Sequence, residues 1–226
     1  MKKFAIIVAA GTGSRFESAL PKQFHPILDK PMLMYSIEAF ALADPAIKII
    51  LVLNQNHIEF WKNICKEHQF NVRHSVVLGG STRIESVKNG LSQVDVNSLV
   101  AVHDGARPLI TTKLINECFE ATLIKGNAVV AIKCKDSLRK TEQSGSVAVN
   151  RSEYSLIQTP QCFKSNILLN AYEQTINNDG FTDDASIAES FGEEINLIQG
   201  DELNIKVTHP SDLLYAESAL LYRSKI

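Results

Sequence analysis

Residues 4–15 read Phe4-Ala5-Ile6-Ile7-Val8-Ala9-Ala10-Gly11-Thr12-Gly13-Ser14-Arg15. The apolar run is short, rich in Ile and Val, and shows no alternation. Such a run reads as a strand buried on both faces, the kind found in parallel sheets. It turns abruptly into a glycine loop, where backbone N–H groups can approach an anion closely. Met1-Lys2-Lys3 ahead of it gives the start the look of a secretion signal. The apolar stretch is only seven residues long, however, at the lower limit of a signal core. A strand entering a loop is the better reading.

The same alternation continues along the chain. Apolar, β-branched runs at 47–53, 75–78, 99–103 and 128–132 read as further buried strands. Between them, 32–43, 57–68, 83–91 and 113–125 carry helical spacing. In 32–43, Leu33, Ile37, Phe40 and Ala41 fall on one face. Strands alternating with helices predict an α/β fold, a mostly parallel sheet with helices on both faces and right-handed crossovers. The rhythm breaks near Lys135. Residues 135–141 and 146–150 are polar and extended, joined through Gln143-Ser144-Gly145, and predict a β-hairpin with too few apolar residues to stand alone. It should lean on another surface, such as a second subunit. Helical patterns resume at 164–178 and 184–191. Strands are expected at 195–198 and 205–207, and a last helix from 211 to about 223. No repeat or linker divides the chain, so a single domain over residues 1–226 is expected, with a protruding arm at about 134–152.

Composition removes several classes of function. The chain has 226 residues, enough for a core without disulfide or metal support. Its 23 basic and 25 acidic residues nearly cancel, which argues against a nucleic-acid binder. No apolar run approaches the roughly 18 residues of a membrane span. Cys65, Cys118, Cys134 and Cys162 form no CxxC pair and fit no zinc spacing. They are expected as reduced thiols in a cytoplasmic protein.

Four clusters can carry chemistry. The first is Ala9-Ala10-Gly11-Thr12-Gly13-Ser14-Arg15 with Lys22 seven residues on. Phe16 stands where a dinucleotide fingerprint has its third glycine, and no Walker lysine follows the loop. Two cations beside a phosphate-cradling loop suit a triphosphate whose charge rises during transfer. The second is Gly79-Gly80-Ser81-Thr82-Arg83 with Ser86, where paired glycines permit close approach to a planar group such as a base and Ser81 or Thr82 suits a helix cap. The third is His103-Asp104-Gly105-Ala106-Arg107-Pro108 at a strand end, where α/β sheets bind ligands. Asp104 there can hold Mg2+ against phosphate oxygens, and Arg107 can grip a second phosphate or pair with Asp104. The fourth is scattered: Arg151, Thr159-Pro160-Gln161, Thr182-Asp183 and Asn204-Ile205-Lys206-Val207-Thr208. These hydroxyls and cations together suit a small phosphorylated polyol.

Together these stretches, from about residue 4 to 221, resemble the 2-C-methyl-D-erythritol 4-phosphate cytidylyltransferase family. The runs that carry the resemblance are AAGTGSRFESALPKQ, GGSTRIESV, HDGARP, TPQ, TDDAS and NIKVT, in the family's order and spacing. The resemblance implies a Rossmann-like nucleotidyltransferase fold. It implies a cytoplasmic enzyme that joins CTP to methylerythritol phosphate, releases pyrophosphate and serves the non-mevalonate route to isoprenoids. Arg15 and Lys22 would stabilise the transition state. Ala9, Ala10, Gly11, Gly13, Gly80, Ser81 and Ser86 would line the cytidine pocket, with Arg83 beside it. Asp104 would bind Mg2+ and, with Arg107, the sugar phosphate. Arg151 and Lys206 would position the attacking phosphate, while Thr159, Thr182 and Ser137 would hold the substrate. In the family the arm is exchanged in a homodimer, so Arg151 would act in the partner's site. Ser81 stands where many members carry Asp, and Ser137 where Thr is common.

The chemistry fits on its own terms. A phosphate monoester is already ionised and needs no general base, so positioning and charge neutralisation suffice. The rival readings are ribitol-5-phosphate cytidylyltransferase, a nicotinamide oxidoreductase and a nucleotide-binding regulator. The first shares the CTP site. The second lacks its third glycine, and no Tyr is followed four residues later by Lys. The third has no use for Arg15, Lys22, Asp104 and Lys206 together.

Overall fold

The opening apolar run forms a strand at the centre of a sheet in the computed structural model, which describes residues 1–11, 16, 20–175 and 180–225. Gly13, Arg15 and the end of the helix expected over 164–178 lie outside the described residues. In chain order the elements begin with β1 (Lys3–Ala9), β2 (Pro26–Ile27), β3 (Lys30–Pro31), α1 (Met32–Ala43), β4 (Lys48–Leu53), α2 (Ile58–Glu67), β5 (Ser75–Leu78), α3 (Arg83–Leu91) and β6 (Leu99–Asp104). They continue with α4 (Thr112–Lys125), β7 (Asn127–Lys133), β8 (Leu138–Glu142), β9 (Gly145–Val149), β10 (Ser155–Lys164), α5 (Ser165–Gln174), α6 (Asp184–Ser190), β11 (Leu197–Gln199) and α7 (Ser211–Arg223).

The main sheet has seven strands in the order β11-β7-β10-β6-β1-β4-β5. Strand β1 pairs in parallel with β4 and β6, β4 with β5, and β7 with β11. Side chains alternate across the sheet as a pleated strand requires. Ala5, Ile7 and Ala9 face a core built with α1, α2 and α4, while Phe4 and Ile6 face a second core built with α3, α5 and α6. Both sheet faces are therefore covered, which is why these strands read as unbroken apolar runs. Each large aliphatic side chain buried this way contributes roughly 1.5–3 kcal/mol.

Besides the two-residue strands β2 and β3, which were not expected, two elements depart from the sequence reading. The expected strands include none between the hairpin and residue 164, yet β10 lies in the sheet interior, antiparallel to both β6 and β7. Its period is broken by Gln158-Thr159-Pro160-Gln161, and its register against β7 shifts between Ile157 and Gln161. Proline lacks the ladder N–H and is confined to edges or such irregularities, which hid the strand. Conversely, 205–207 forms no strand. Ile205 N–H turns back to Leu203 O at 2.7 Å, and Val207 N–H donates to Ala106 O at 2.8 Å. The segment is stapled onto the loop after β6, with Val207 in a small third core beneath α7 (Ala216, Ala219).

The hairpin β8–β9 forms as expected, with Glu142 opposite Gly145. Gly145 has φ +104, a conformation that favours glycine at the turn. Its strands are exposed except at their ends, where Leu138 and Val149 are half-buried. Among the described residues, no helix is long and apolar enough to cross a membrane.

Candidate active site

Strands β1, β4 and β6 end together at Ala9, Leu53 and Asp104. Their carboxyl ends open on a cavity of about 560 Å³, a size suited to a small ligand. Ala9, Ala10 and Gly11 continue from β1 into one wall. Gly80, Ser81, Arg83 and Ser86 supply another, and Lys22, Asp104 and Lys206 converge on the same space. Ten of the expected site residues, drawn from four distant stretches, thus line one pocket. No His or Cys lines it among the described residues.

The second wall is built by its own hydrogen bonds. Thr82, rather than Ser81, caps α3 by accepting from Glu85 N–H at 3.1 Å. Ser81 bonds Glu85 instead, its N–H and hydroxyl both donating to Oε2 at 2.7 Å. The Ser86 hydroxyl donates to Thr82 O at 2.8 Å and accepts from Gly80 N–H at 3.1 Å. Gly79 serves protein packing rather than ligand approach, because a Cβ there would lie 2.3 Å from the Ala10 Cβ.

Asp104 is the electrostatic centre. Lys206 Nζ sits 2.7 Å from its Oδ2, Arg83 Nε 3.7 Å from Oδ1, and Arg107 Nε 3.9 Å from Oδ2. Burial pushes the Asp104 carboxyl up, but Lys206, Arg83 and Arg107 together hold it well below the usual carboxylate range. Arg107 lies behind Asp104 rather than in the pocket wall. Its Nη1 donates to Asn204 O at 2.7 Å and its Nη2 to Ile157 O at 3.5 Å. Asn204 Nδ2 in turn donates to Thr159 O at 2.9 Å. Arg107 therefore anchors the segment that presents Lys206.

Thr159 is also buried behind Asp104. Its Oγ1 accepts Asp104 N–H at 3.0 Å and lies 3.1 Å from His103 Nδ1. His103 Nε2 lies 3.1 Å from Arg107 O, a carbonyl that can only accept. Nε2 therefore carries the ring proton, and the Thr159 hydroxyl donates to Nδ1. Burial pushes His103 down to about 4. Between the unfolded value of about 6.5 and this folded value, the unfolded chain binds a proton that the folded chain does not. Stability is then expected to fall as pH drops through that window. Thermal melting at pH 7.5, 6 and 4.5 checks this, and a melting temperature unchanged across the series would refute it.

Ser137, Arg151 and Thr182 are exposed and do not line this pocket. Arg151 stands at the base of the hairpin and donates to Lys135 O. Asp201 and Glu202, the acids just ahead of the Asn204–Thr208 stretch, are engaged by Arg223 and Lys135. The described residues hold no cluster of three His, Cys, Asp or Glu side chains suited to a metal. A lone ionised carboxylate beside cations fits Mg2+ carried by phosphates, because Mg2+ takes one or two carboxylates plus substrate oxygens.

Two contributors, Gln23 and Asn54, were not among the expected site residues. Gln23, whose amide donates to Ala9 O at 3.0 Å, ties the short turn Lys22–Phe24 to β1. Asn54 and Thr208, the latter from the expected 204–208 stretch, also line the pocket. Asn54 directly follows the strand β4, and that position was the only available signal.

The chain is similar to known proteins over nearly its whole length. The family model described as 2-C-methyl-D-erythritol 4-phosphate cytidylyltransferase matches residues 4–222. A protein of that name from Bacteroides thetaiotaomicron is 46% identical over 221 residues, covering 98% of this chain and 100% of its own. One from Clostridium novyi is 35% identical, covering 97% and 96%. The solved structure of 4-diphosphocytidyl-2C-methyl-D-erythritol synthase from Anaerococcus prevotii has 27% identity and a TM-score of 0.84, covering 97% and 96%. That of 2-C-methyl-D-erythritol 4-phosphate cytidylyltransferase from Thermus thermophilus has 27% identity and a TM-score of 0.79, covering 97% and 98%. The strand-end pocket and the match along almost the whole chain lead to one assignment: this chain belongs to the 2-C-methyl-D-erythritol 4-phosphate cytidylyltransferase family.

Proposed function

We propose that the pocket around Asp104 is where the family's reaction takes place. The chain transfers a cytidylyl group from CTP to 2-C-methyl-D-erythritol 4-phosphate and releases pyrophosphate, in isoprenoid synthesis. The observation that carries the reading is one cavity that joins the nucleotide-side walls to Asp104, Lys22 and Lys206 without a base. An oxygen of the substrate phosphate bonds to the α-phosphorus of CTP, and the bond from that phosphorus to the pyrophosphate oxygen breaks. No proton must be removed, so catalysis rests on alignment and charge. Lys22 and Lys206 neutralise charge on the phosphates, and Arg15 joins them. Ala9, Ala10, Gly11, Gly13, Gly80, Ser81, Arg83 and Ser86 hold the nucleotide. Asp104 would hold Mg2+ that enters with the triphosphate and neutralises phosphate charge.

The protein works as a cytoplasmic homodimer joined through the hairpin arm, with Arg151 and Ser137 serving the partner's site and Thr182 the polyol. Support comes from apolar side chains exposed on and beside the arm: Val147, Tyr154, Leu156 and Ile157. The ribitol-5-phosphate reading is not favoured, since the relatives named above carry the methylerythritol name.

Pyrophosphate release with CTP and Mg2+ tests the reaction, with methylerythritol phosphate and ribitol phosphate offered in parallel. Release with the first alone is expected, and release with ribitol phosphate alone would overturn the substrate. Arg151→Ala is expected to weaken use of the phosphorylated polyol. Mixed with Lys22→Ala it should regain part of the lost activity. Absence of rescue in confirmed heterodimers would count against the shared site.

A further inference from the structure

Asp184 is a buried carboxylate that the reaction above does not use. It is the first residue of α6 and is fully buried. Its Oδ1 accepts from Arg83 Nη1 at 3.1 Å and its Oδ2 from Nη2 at 2.7 Å. The Tyr172 hydroxyl donates to Oδ1 at 2.6 Å. Two planar groups meet fork to fork, the geometry that fixes a guanidinium most firmly. A buried ion pair is weak evidence of stabilisation, because removing both charges from water costs about what their attraction returns. Replacing such a pair by apolar side chains of similar volume is often neutral, so stability alone does not account for the carboxylate.

That reason lies on the other edge of Arg83. Its Nε is 3.7 Å from Asp104 Oδ1, and Arg83 lines the pocket. Two carboxylates therefore compete for one fork. Asp104, with Lys206 already at 2.7 Å, must keep a face open for the nucleotide. Were Asp184 neutral, Asp104 would be the nearest remaining charge, and the fork would turn onto it.

We propose that Asp184, braced by Tyr172, is a positioning residue that holds the Arg83 fork away from Asp104 and so keeps the nucleotide side of the pocket open. This rests on the nucleotidyl-transfer reading of the pocket. It makes the second Asp of Thr182-Asp183-Asp184 a determinant of CTP binding, although it does not line the cavity.

The test measures CTP binding by calorimetry with Mg2+ present, alongside thermal melting and steady-state turnover. Loss of one charge-assisted contact in Asp184→Asn is expected to raise the Kd for CTP about tenfold, leaving the KM for the polyol phosphate within about twofold. Tyr172→Phe keeps the fork and loses only its brace, so it is expected to raise the CTP Kd by about twofold to threefold. A folded Asp184→Asn protein that melts lower yet binds CTP like wild type would overturn the proposal and leave Asp184 a structural role. Should that variant fail to fold, wild-type CTP affinity in folded Tyr172→Phe would overturn it. Wild-type turnover is measured in the same series. If wild type released no pyrophosphate, the reaction would be wrong, while the CTP Kd values would still report on Asp184.

Discussion

Asp104→Ala is expected to lower turnover by about 100-fold or more, because the charge at the centre of a preorganised site is lost. The carboxylate is shared by Lys206 at 2.7 Å, Arg83 at 3.7 Å and Arg107 at 3.9 Å. Without it three cations face one another, and Lys206 loses the partner that aims it across the pocket. Breaking a fully buried ion pair costs about 3–5 kcal/mol. The Lys206 side chain is 40% exposed, so water takes up part of that loss and the fold is expected to survive. Asp104→Asn keeps the shape and should lose as much activity as the alanine variant, since charge is what the site requires. Turnover of Asp104→Asn within about threefold of wild type would remove Asp104 from the centre of the mechanism. Adding Lys206→Ala to Asp104→Ala should cost far less than the two single losses combined, as for contacting residues. Steady-state turnover and thermal melting of the three variants check this.

Lys22→Ala is expected to reduce kcat by about 100-fold or more while changing CTP affinity little, because Lys22 acts on charge that develops during transfer. The variant should be clean. The turn Lys22–Phe24 is held by residues beside the lysine, not by the lysine alone. Gln23 bonds Ala9 O at 3.0 Å, and the Phe24 ring packs 5.1 Å from Phe60 and 5.7 Å from His57. Removing the ammonium should leave this anchor in place. Turnover close to wild type, or a loss of CTP binding as large as the loss of rate, would sink the assignment. Single-turnover kinetics and calorimetry separate the two outcomes.

Much of this protein is legible because its central strands are buried on both sides. Phe4, Ile6, Ile50, Val52, Val100 and Val102 face one core, and Ala5, Ile7, Ile49, Leu51, Leu53 and Ala101 face the other. Apolar runs of that kind declare themselves without an alignment. Helices α1 and α3 start and stop where the pattern and the Thr82 cap place them. The hairpin was legible for the opposite reason, because a polar, extended stretch with a glycine turn has no core of its own.

Other features had no local signal. Strand β10 is held by pairing with β6 and β7 on both sides, and that pairing outweighs a sequence that Thr159-Pro160 makes look like a loop. The segment around Lys206 looked like a strand because Ile205 and Val207 flank it. Its Val207 N–H, however, bonds Ala106 O, a partner 101 positions earlier. Arg107 and Thr159 were expected against substrate, yet their polar atoms are largely taken by Asn204, Ile157, His103 and Asp104.

The parallel α/β core, the presence of the hairpin and the residue types of a charged strand-end pocket can all be read from the chain's own pattern. Those follow from burial periodicity and from the chemistry of phosphates, both written locally. Only the tertiary structure decided which cation meets which carboxylate: Lys206 on Asp104, and Arg83 divided between Asp104 and Asp184. Such pairings depend on the distance between groups 21, 101 and 102 residues apart in sequence, and that distance exists only once the chain has folded.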